Sequence, residues 1–589
     1  MLKADANVLR YIYPLNTEKF SSKPIKDVSI EVNIETEEPI KMLFCSTHNV
    51  EIKRKSDTKA VVRFEDKDVI PDIDFVVYYS TNKEEIDASV LTYREAGEDG
   101  FFILNITPSF SLKEEEIQKK DIVFVIDTSG SMAGKKIEQA KRALDFCITN
   151  LNKQDRFEVI RFSTEAESLF KELKTAYKNN IESARRFVAR IQPAGDTNIE
   201  EALSLAFSVF DRKEQKYGSI IFITDGKPTI GITDENELIR TIEKRNKNNI
   251  RIFVFGIDYE LNTHLLDRVA EVSYGYRDYV TPEEDIELKI TSFYEKIKYP
   301  VLSDIHIDFK GLSAYNIYPK KVPDLFKGSQ ITITGRYKKS GRLKVNLEGY
   351  IEGKKKRFEY VLNFPLHSPS DVASTTDGFI PQIWAAQHIG YLLDEIRLKG
   401  ENEELKDEII AVANKYGIIT PYTSYLIIEE EQHRQSTGKN NISISPSLRE
   451  VLTTPVMEAK MKAEIKGMQD KSGKKSVVAS KELYALRNAQ NYQQVYQGRE
   501  RMEYKDSSGK VQNLTGQVKN IQGRAVYQDG NRWTDSAVYS MKNFKKVRIQ
   551  FGSKDYFELV KNKPASTQFL ALGKNVQFVI NDTIYDIYE

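Results

Sequence analysis

The stretch Asp121-Ile-Val-Phe-Val-Ile-Asp127-Thr-Ser129-Gly-Ser131-Met132 limits the fold more than any other part of the chain. Ile122 to Ile126 is an unbroken apolar run, the pattern of a strand covered on both faces, and it stops at an acid followed by alternate hydroxyls. Such a strand needs helices above and below it. The sequence supplies one directly: Ile137, Ala140, Leu144, Cys147 and Leu151 recur at helical spacing. Asp127, Ser129 and Ser131 then fall on the loop at the strand's carboxyl end, the edge of an open α/β sheet where ligands bind.

Two further pieces share this grammar. Gly195-Asp196-Thr197-Asn198 opens a helix, and Ile220-Ile-Phe-Ile-Thr224-Asp225-Gly226 is a second buried strand ending in an acid. Strands are also expected at Phe157–Ile160 and Ile250–Ile257. Helix starts are read at Asn198 with Glu201, at Asp234 with Glu237, and at Thr281-Pro282-Glu283-Glu284, where a hydroxyl cap, a Pro at N1 and a Glu at N3 coincide. The alternation predicts a doubly wound α/β domain over 121–299, its last helix ending near Tyr299. The carboxylates of Asp127 and Asp225 and the hydroxyls of Ser129, Ser131 and Thr197 are hard oxygen donors, which suit a divalent cation such as Mg²⁺. Each fragment alone has a plainer reading, since an acid after a strand is often a helix cap and Asp-Gly a common turn. Their agreement on one sheet edge makes the cation site the stronger reading.

The flanks have a different pattern. Alternation at Val28, Ile30, Val32 and Ile34, followed by Val61–Phe64, Asp74–Tyr79 and Phe101–Leu104, marks residues 1–110 as a small β module. Lys113–Lys120 reads as a solvated connection. Strand signals return at Ile305–Phe309, Gln330–Thr334, Leu343–Leu347 and Phe358–Leu362, so residues 300–365 are expected to pack on the first module with the α/β domain inserted between them. Residues 379–428 are expected to form a helical hairpin turning at Lys399-Gly400 and then a closing strand. The polar stretch 430–490 reads as a flexible linker with a helical part around Pro455–Met468. Residues 491–589 are expected to form a small α+β domain, with hairpins at Arg524–Trp533 and Val576–Ile587 and a helix from Tyr556 to Leu572.

Composition narrows the function classes. Lys+Arg (87) and Asp+Glu (86) nearly cancel, so no global field favours nucleic acid or an anionic membrane. No apolar run approaches the ~20 residues of a membrane helix. The two cysteines, Cys45 and Cys147, make neither a disulfide framework nor a thiolate metal site. An aspartic protease needs Asp-Thr-Gly twice, and a haloacid-type phosphatase needs a second acid where Ser129 stands. Gly134-Lys135-Lys136 lacks the Gly-rich loop of a nucleotide site. His264 and His388 read as packing or surface residues, and Trp384 as core. No general base is placed by the motifs, so no catalysis is expected.

Asp127-x-Ser129-x-Ser131 with Thr197 and Asp225 resembles the metal-ion-dependent adhesion site of von Willebrand factor type A (VWA) domains. The flanks are similar to bacterial relatives of the inter-alpha-trypsin inhibitor heavy chains, which join a VIT domain to a VWA domain. The segments that carry this are Tyr13–Phe20, Asp74–Ser80, Leu91–Phe101, Tyr416–Tyr425 and Phe551–Leu559. The resemblance implies a doubly wound, Rossmann-like VWA domain set between VIT-like β segments. It implies Mg²⁺, or Ca²⁺ or Mn²⁺, with Asp127 and Asp225 acting through bridging water and Ser129, Ser131 and Thr197 supplying direct oxygens. At most five protein oxygens leave one of the six positions around Mg²⁺ for an Asp or Glu of a protein partner. Adhesion or protein capture at the cell surface, in the periplasm or outside the cell follows, with no membrane insertion; a cytoplasmic location is the alternative, because the chain shows no signal peptide. The competing function is a structural scaffold of a surface or periplasmic assembly with a metal-stabilised VWA domain. By the same resemblance the helix ending near Tyr299 is expected to shift with ligand. Two departures stand out. No VIT opening strand is legible upstream of Leu9, so the chain is expected to begin part-way into that domain, a secretion signal lost with the missing strands; and Asp196 stands where relatives carry Gly, either as an added carboxylate at the site or facing solvent.

Overall fold

The computed structural model describes the chain apart from residues 1, 6–7, 16–24, 70–72, 83, 96, 110–117, 211–216, 367–377, 419, 421, 423–465, 497–502, 506–510, 514–517, 530, 541–544 and 581. At its centre is a seven-stranded sheet. Strand Lys120–Asp127 lies between Arg156–Phe162 and Tyr217–Thr224, parallel to both, and Arg251–Ile257 and Arg277–Val280 extend the parallel set. The chain leaves the first strand toward one side and later crosses to the other. That reversal opens a crevice at the carboxyl end of Lys120–Asp127.

Both faces of the central strand are covered, as its apolar run requires. Ile122, Phe124 and Ile126 pack under helices Lys135–Thr149, Lys178–Ala189 and Ile286–Ile297. Val123 and Val125 pack under Ile199–Ser208, Glu235–Arg245 and Thr263–Val272. Burying each such side chain contributes about 1.5–3 kcal/mol. The caps at Asn198 and Asp234 form, each side chain accepting the amide three residues on. The third expected helix start is displaced. Thr281 donates its amide to Glu284 Oε2 at 2.9 Å, but Lys289 and Lys481 also hold that carboxylate, and the helix begins only after Asp285, which accepts from Leu288 at 3.0 Å.

Strands from before and after this domain share one sheet: Gly100–Pro108 pairs antiparallel with Ile331–Tyr337, from Ile331 opposite Ile106 to Tyr337 opposite Gly100. A strand also lies upstream of Leu9, where the sequence shows no pattern: Leu2–Asp5 pairs with Val8–Tyr13. Four residues are too few for alternation to be read, and the pairing comes from the neighbouring strand. The charged run before the α/β domain does not end in solvent. Residues 113–117 lie outside the described residues, but Gln118 is buried, donating to the carbonyls of Val301 and Tyr350, and buried Lys120 is paired with Asp155.

Helix Phe379–Lys399 is buried almost all round, with Gln382, Gln387, His388, Asp394 and Arg397 among its buried residues. It forms a hairpin with Glu403–Tyr416; beyond Tyr422 the expected closing strand lies outside the described residues. It also crosses helix Lys474–Arg487 at Gly390, where a Cβ would meet Arg487 N at 2.7 Å. The expected linker therefore needs correction at this end. Residues 423–465 are outside the described residues, whereas Ser476, Val477, Ser480 and Leu483 are buried in a docked helix. Tertiary contacts override a composition that by itself favours disorder.

The tail is a six-stranded sheet in which Arg532–Asp535 joins the two hairpins through Val576–Ile580. The helix expected from Tyr556 to Leu572 is broken, Lys554–Asn562 ending before Pro564, whose missing N–H and fixed φ disfavour continuation. Among the described residues no helix is long and apolar enough to cross a membrane.

Candidate metal site

Asp127 ends its strand one residue past the Ile126–Ile223 pairing, which sets it beside Thr224. Thr224 Oγ1 donates to Asp127 Oδ2 at 2.5 Å, and the Ser129 amide donates to Oδ1 at 2.8 Å. The Ser129 hydroxyl adds a further bond to this carboxylate. Asp127 is fully buried. Burial pushes its carboxyl up to about 6, bonds from Thr224 and Ser129 pull it down, and the Asp225 charge adds to the rise.

From Ser129 the polar chain continues outward. Ser129 Oγ lies 3.1 Å from Ser131 Oγ, and Ser131 Oγ donates to Asp225 Oδ1 at 2.7 Å. Asp225 is buried, and its other oxygen receives the Lys136 ammonium at 2.5 Å; the same ammonium is 3.3 Å from Asp258 Oδ2. Thr197 enters from a third loop. Its amide donates to Thr229 Oγ1 and its carbonyl accepts from the Thr229 amide, both at 2.9 Å. Gly226 abuts it so closely that a Cβ would lie 3.0 Å from Thr197 Oγ1. The loops are tied by Gly130 N–H to Gly195 O at 3.1 Å and Ala194 N–H to Thr128 O at 2.7 Å. Gly195 has φ +85°, and a Cβ there would meet Thr164 Oγ1 at 2.6 Å.

The structure thus joins Asp127, Ser129, Ser131 and Asp225 in one hydrogen-bonded run and sets Thr197 against the Asp225-Gly226 turn. Ser131 is exposed while the others are buried, so the group opens to solvent on the Ser131 side. The donor set fits a hard divalent ion. A fully buried carboxylate is costly without a counter-charge, and no cationic side chain of the described residues pairs with Asp127. Among the described residues no three His, Cys, Asp or Glu side chains group to hold a metal, so hydroxyls must complete any shell here.

Three contributors escape the sequence motif. Thr224 precedes Asp225 and orients Asp127. Lys136 belongs to a Gly-Lys-Lys segment that carries no nucleotide signature. Asp258 follows the buried strand Arg251–Ile257, so the same signal that marks Asp127 and Asp225, an apolar run ending in an acid, could have found it. Asp196 is exposed, its amide donating to Thr164 Oγ1 at 3.0 Å. His388 is buried in packing, stacked on Trp384 and bonded to Tyr318 and Glu408.

Residues 120–279 match the von Willebrand factor type A domain family, and this segment of the chain is a domain of that class. The chain is similar to inter-alpha-trypsin inhibitor heavy chain 4 of Mus musculus, 26% identical over 413 residues that cover 65% of this chain and 42% of the relative. It is also similar to inter-alpha-trypsin inhibitor heavy chain H2 of Sus scrofa, 25% identical over 378 residues, 61% of this chain and 39% of the relative. It spans less than half the length of these curated relatives. Among solved structures, a von Willebrand factor type A protein from Catenulispora acidiphila aligns at a TM-score of 0.41 and 16% identity, covering 56% of this chain and 86% of that one.

Proposed function

We propose that this protein captures an acidic side chain of a protein partner through a divalent cation, Mg²⁺ or Ca²⁺ or Mn²⁺ in its place, held by Asp127, Ser129, Ser131, Thr197 and Asp225. One observation carries the reading: the Asp127 carboxylate is wholly buried, faces the charge of Asp225 and has no cationic side chain against it among the described residues. When bound, the cation supplies a Lewis-acidic point of attachment. Asp127 and Asp225 supply the charge that retains it, and the neutral hydroxyls leave it under-compensated, so an incoming carboxylate is attracted. Five protein oxygens fall short of the six that Mg²⁺ takes, and the exposed Ser131 marks the side on which the partner enters. The activity is binding without reaction, since the motif sets no general base beside the ligands. On this reading the partner is met at the cell surface, in the periplasm or outside the cell.

A scaffold role is the second reading, favoured by the way the domain is clamped. Arg277 pairs with Asp267 at 2.9 Å and with Asp394 at 3.0 Å, Arg397 pairs with Asp267 and Arg487 with Asp394, all but Arg487 deeply buried. On the adjacent strand, three residues before Val254, the sheet partner of Arg277, Arg251 pairs with Asp324 at 2.7 Å and Asp304 at 2.9 Å. A pull-down with the wild-type chain and Asp127→Ala, in Mg²⁺ and in EDTA, separates the two. Capture that disappears in EDTA and in a folded Asp127→Ala chain supports cation-dependent binding; capture that persists in EDTA supports the scaffold.

A further inference from the structure

Lys136 is the second residue of helix Lys135–Thr149, where a positive charge meets the unfavourable end of the helix dipole. Helix stability therefore does not account for it. Its ammonium instead reaches 2.5 Å from Asp225 Oδ2 and 3.3 Å from Asp258 Oδ2, with the Lys136 side chain 27% exposed, Asp225 at 0% and Asp258 at 33%. Because Ser131 holds Asp225 Oδ1, both oxygens of this carboxylate are engaged from within the chain. Asp127 has no such companion, so the two acids of the site are compensated unequally.

Asp258 is built to receive the same ammonium. It sits in the left-handed region at φ +76°, uncommon outside glycine, with its amide on Val280 O at 2.9 Å and its Oδ1 accepting the Tyr259 amide at 2.7 Å. Its Oδ2 is the oxygen nearest Lys136. A lysine thus lies between a buried acid at the ligand set and a more exposed acid outside it.

We propose that Lys136 is a tethered counter-ion that competes with the divalent cation for Asp225 and is taken up by Asp258 when that cation binds. The proposal rests on the cation reading above. Like charges on one carboxylate repel strongly in a partly buried setting, so the ammonium weakens cation binding, and Asp258 relieves the conflict by offering the lysine a second partner. Lys136 is on this account a positioning residue that sets how much cation the site needs before it can hold a partner's carboxylate.

Calorimetric titration of Mg²⁺ alone into the full chain tests this, using wild type, Lys136→Gln, Asp258→Asn and the double variant. Lys136→Gln keeps much of the side-chain length without the charge and should bind Mg²⁺ about tenfold more tightly. Asp258→Asn leaves the lysine with Asp225 alone and should bind several-fold more weakly. The double variant should match Lys136→Gln, because the Asp258 effect acts through the lysine. Wild-type binding with Lys136→Gln unchanged or weaker overturns this proposal and leaves the cation reading standing, as does an Asp258→Asn loss that persists in the Lys136→Gln background. A folded wild-type chain that takes up no Mg²⁺ overturns both.

Discussion

Replacing Asp127 with Asn should reverse the order of stabilities between metal-free and metal-loaded conditions. Burial raises the Asp127 carboxyl from 3.8 to about 6 in the folded chain. The folded state thus holds its proton more tightly than the unfolded one, so stability falls as pH rises from about 3.8 through about 6 and the full cost is present above that. At 1.36 kcal/mol per unit, an ionised Asp127 costs about 3 kcal/mol at neutral pH. Asparagine removes the charge, but its amide cannot accept both the Thr224 hydroxyl and the Ser129 amide, and one disturbed bond costs about 1 kcal/mol. The net gain is about 2 kcal/mol, or roughly 4–8 °C in the melting temperature of a domain of this size. Saturating Mg²⁺ acts the other way: at a hundred times its dissociation constant it stabilises wild type by about 2.7 kcal/mol and the variant not at all. Thermal melts in EDTA and in Mg²⁺ would show Asp127→Asn ahead in the first and behind or level in the second. A variant that melts lower in EDTA would show that the buried Asp127 charge is not a net cost, and one that gains as much from Mg²⁺ as wild type would show that Asp127 does not hold the ion.

Gly226→Val presses on Thr197, because even a Cβ would stand 3.0 Å from Thr197 Oγ1; Mg²⁺ affinity by calorimetry should drop about tenfold for a stability loss of about 1–3 kcal/mol. His48 and His264 are buried and pushed down to about 4, so the unfolded state binds more protons between that value and 6.5. Stability should therefore decline as pH falls through this window, by about 3 kcal/mol for each histidine, and His264→Leu should flatten the decline in urea midpoints measured at pH 7 and pH 4.5. For Asp394, burial raises the carboxyl but Arg277, Arg487 and Arg397 outweigh it and hold it well below the usual range. Asp394→Ala should cost about 3–5 kcal/mol in urea unfolding and expose helix Lys474–Arg487 to proteolysis; a neutral variant would show that the clamp does not hold the domain.

The α/β fold class was legible because a strand buried on both faces must be almost wholly apolar, as Ile122–Ile126 is, and because Asn198 and Asp234 mark helix starts with side chains of the right reach. The candidate ligands were legible for a related reason: strand ends place acids and hydroxyls on one edge. Asp258 carries that same strand-end signal, but its contact with Lys136 does not show in the sequence, since it joins residues 122 positions apart and a lysine on a helix looks like any solvated charge. Helix Phe379–Lys399 conceals its burial behind polar residues whose partners lie far along the chain, Gln387 with Thr334 and Ala489, Arg397 with Asp267. Helix Lys474–Arg487 is hidden in the same way: Ser476 and Ser480 are buried on Thr263 and Asp267, so a segment polar in composition is ordered by contacts no local window contains. Thr281-Pro282 illustrates the converse: the bond from the Thr281 amide to Glu284 forms, yet it closes only a turn, and Asp285 caps the helix that follows.

On the proposed function, a cation held at Asp127 and Asp225 keeps a coordination position for a carboxylate from outside the chain. Water-proton relaxation of the Mn²⁺-loaded protein measures this directly, because the signal reports exchangeable water on the ion. A relaxation enhancement should appear with wild type, be absent with Asp127→Ala, and fall as a short Asp-containing peptide is added but not as its Asn counterpart is. An enhancement that the acidic peptide leaves unchanged, or that Asp127→Ala retains, would contradict it.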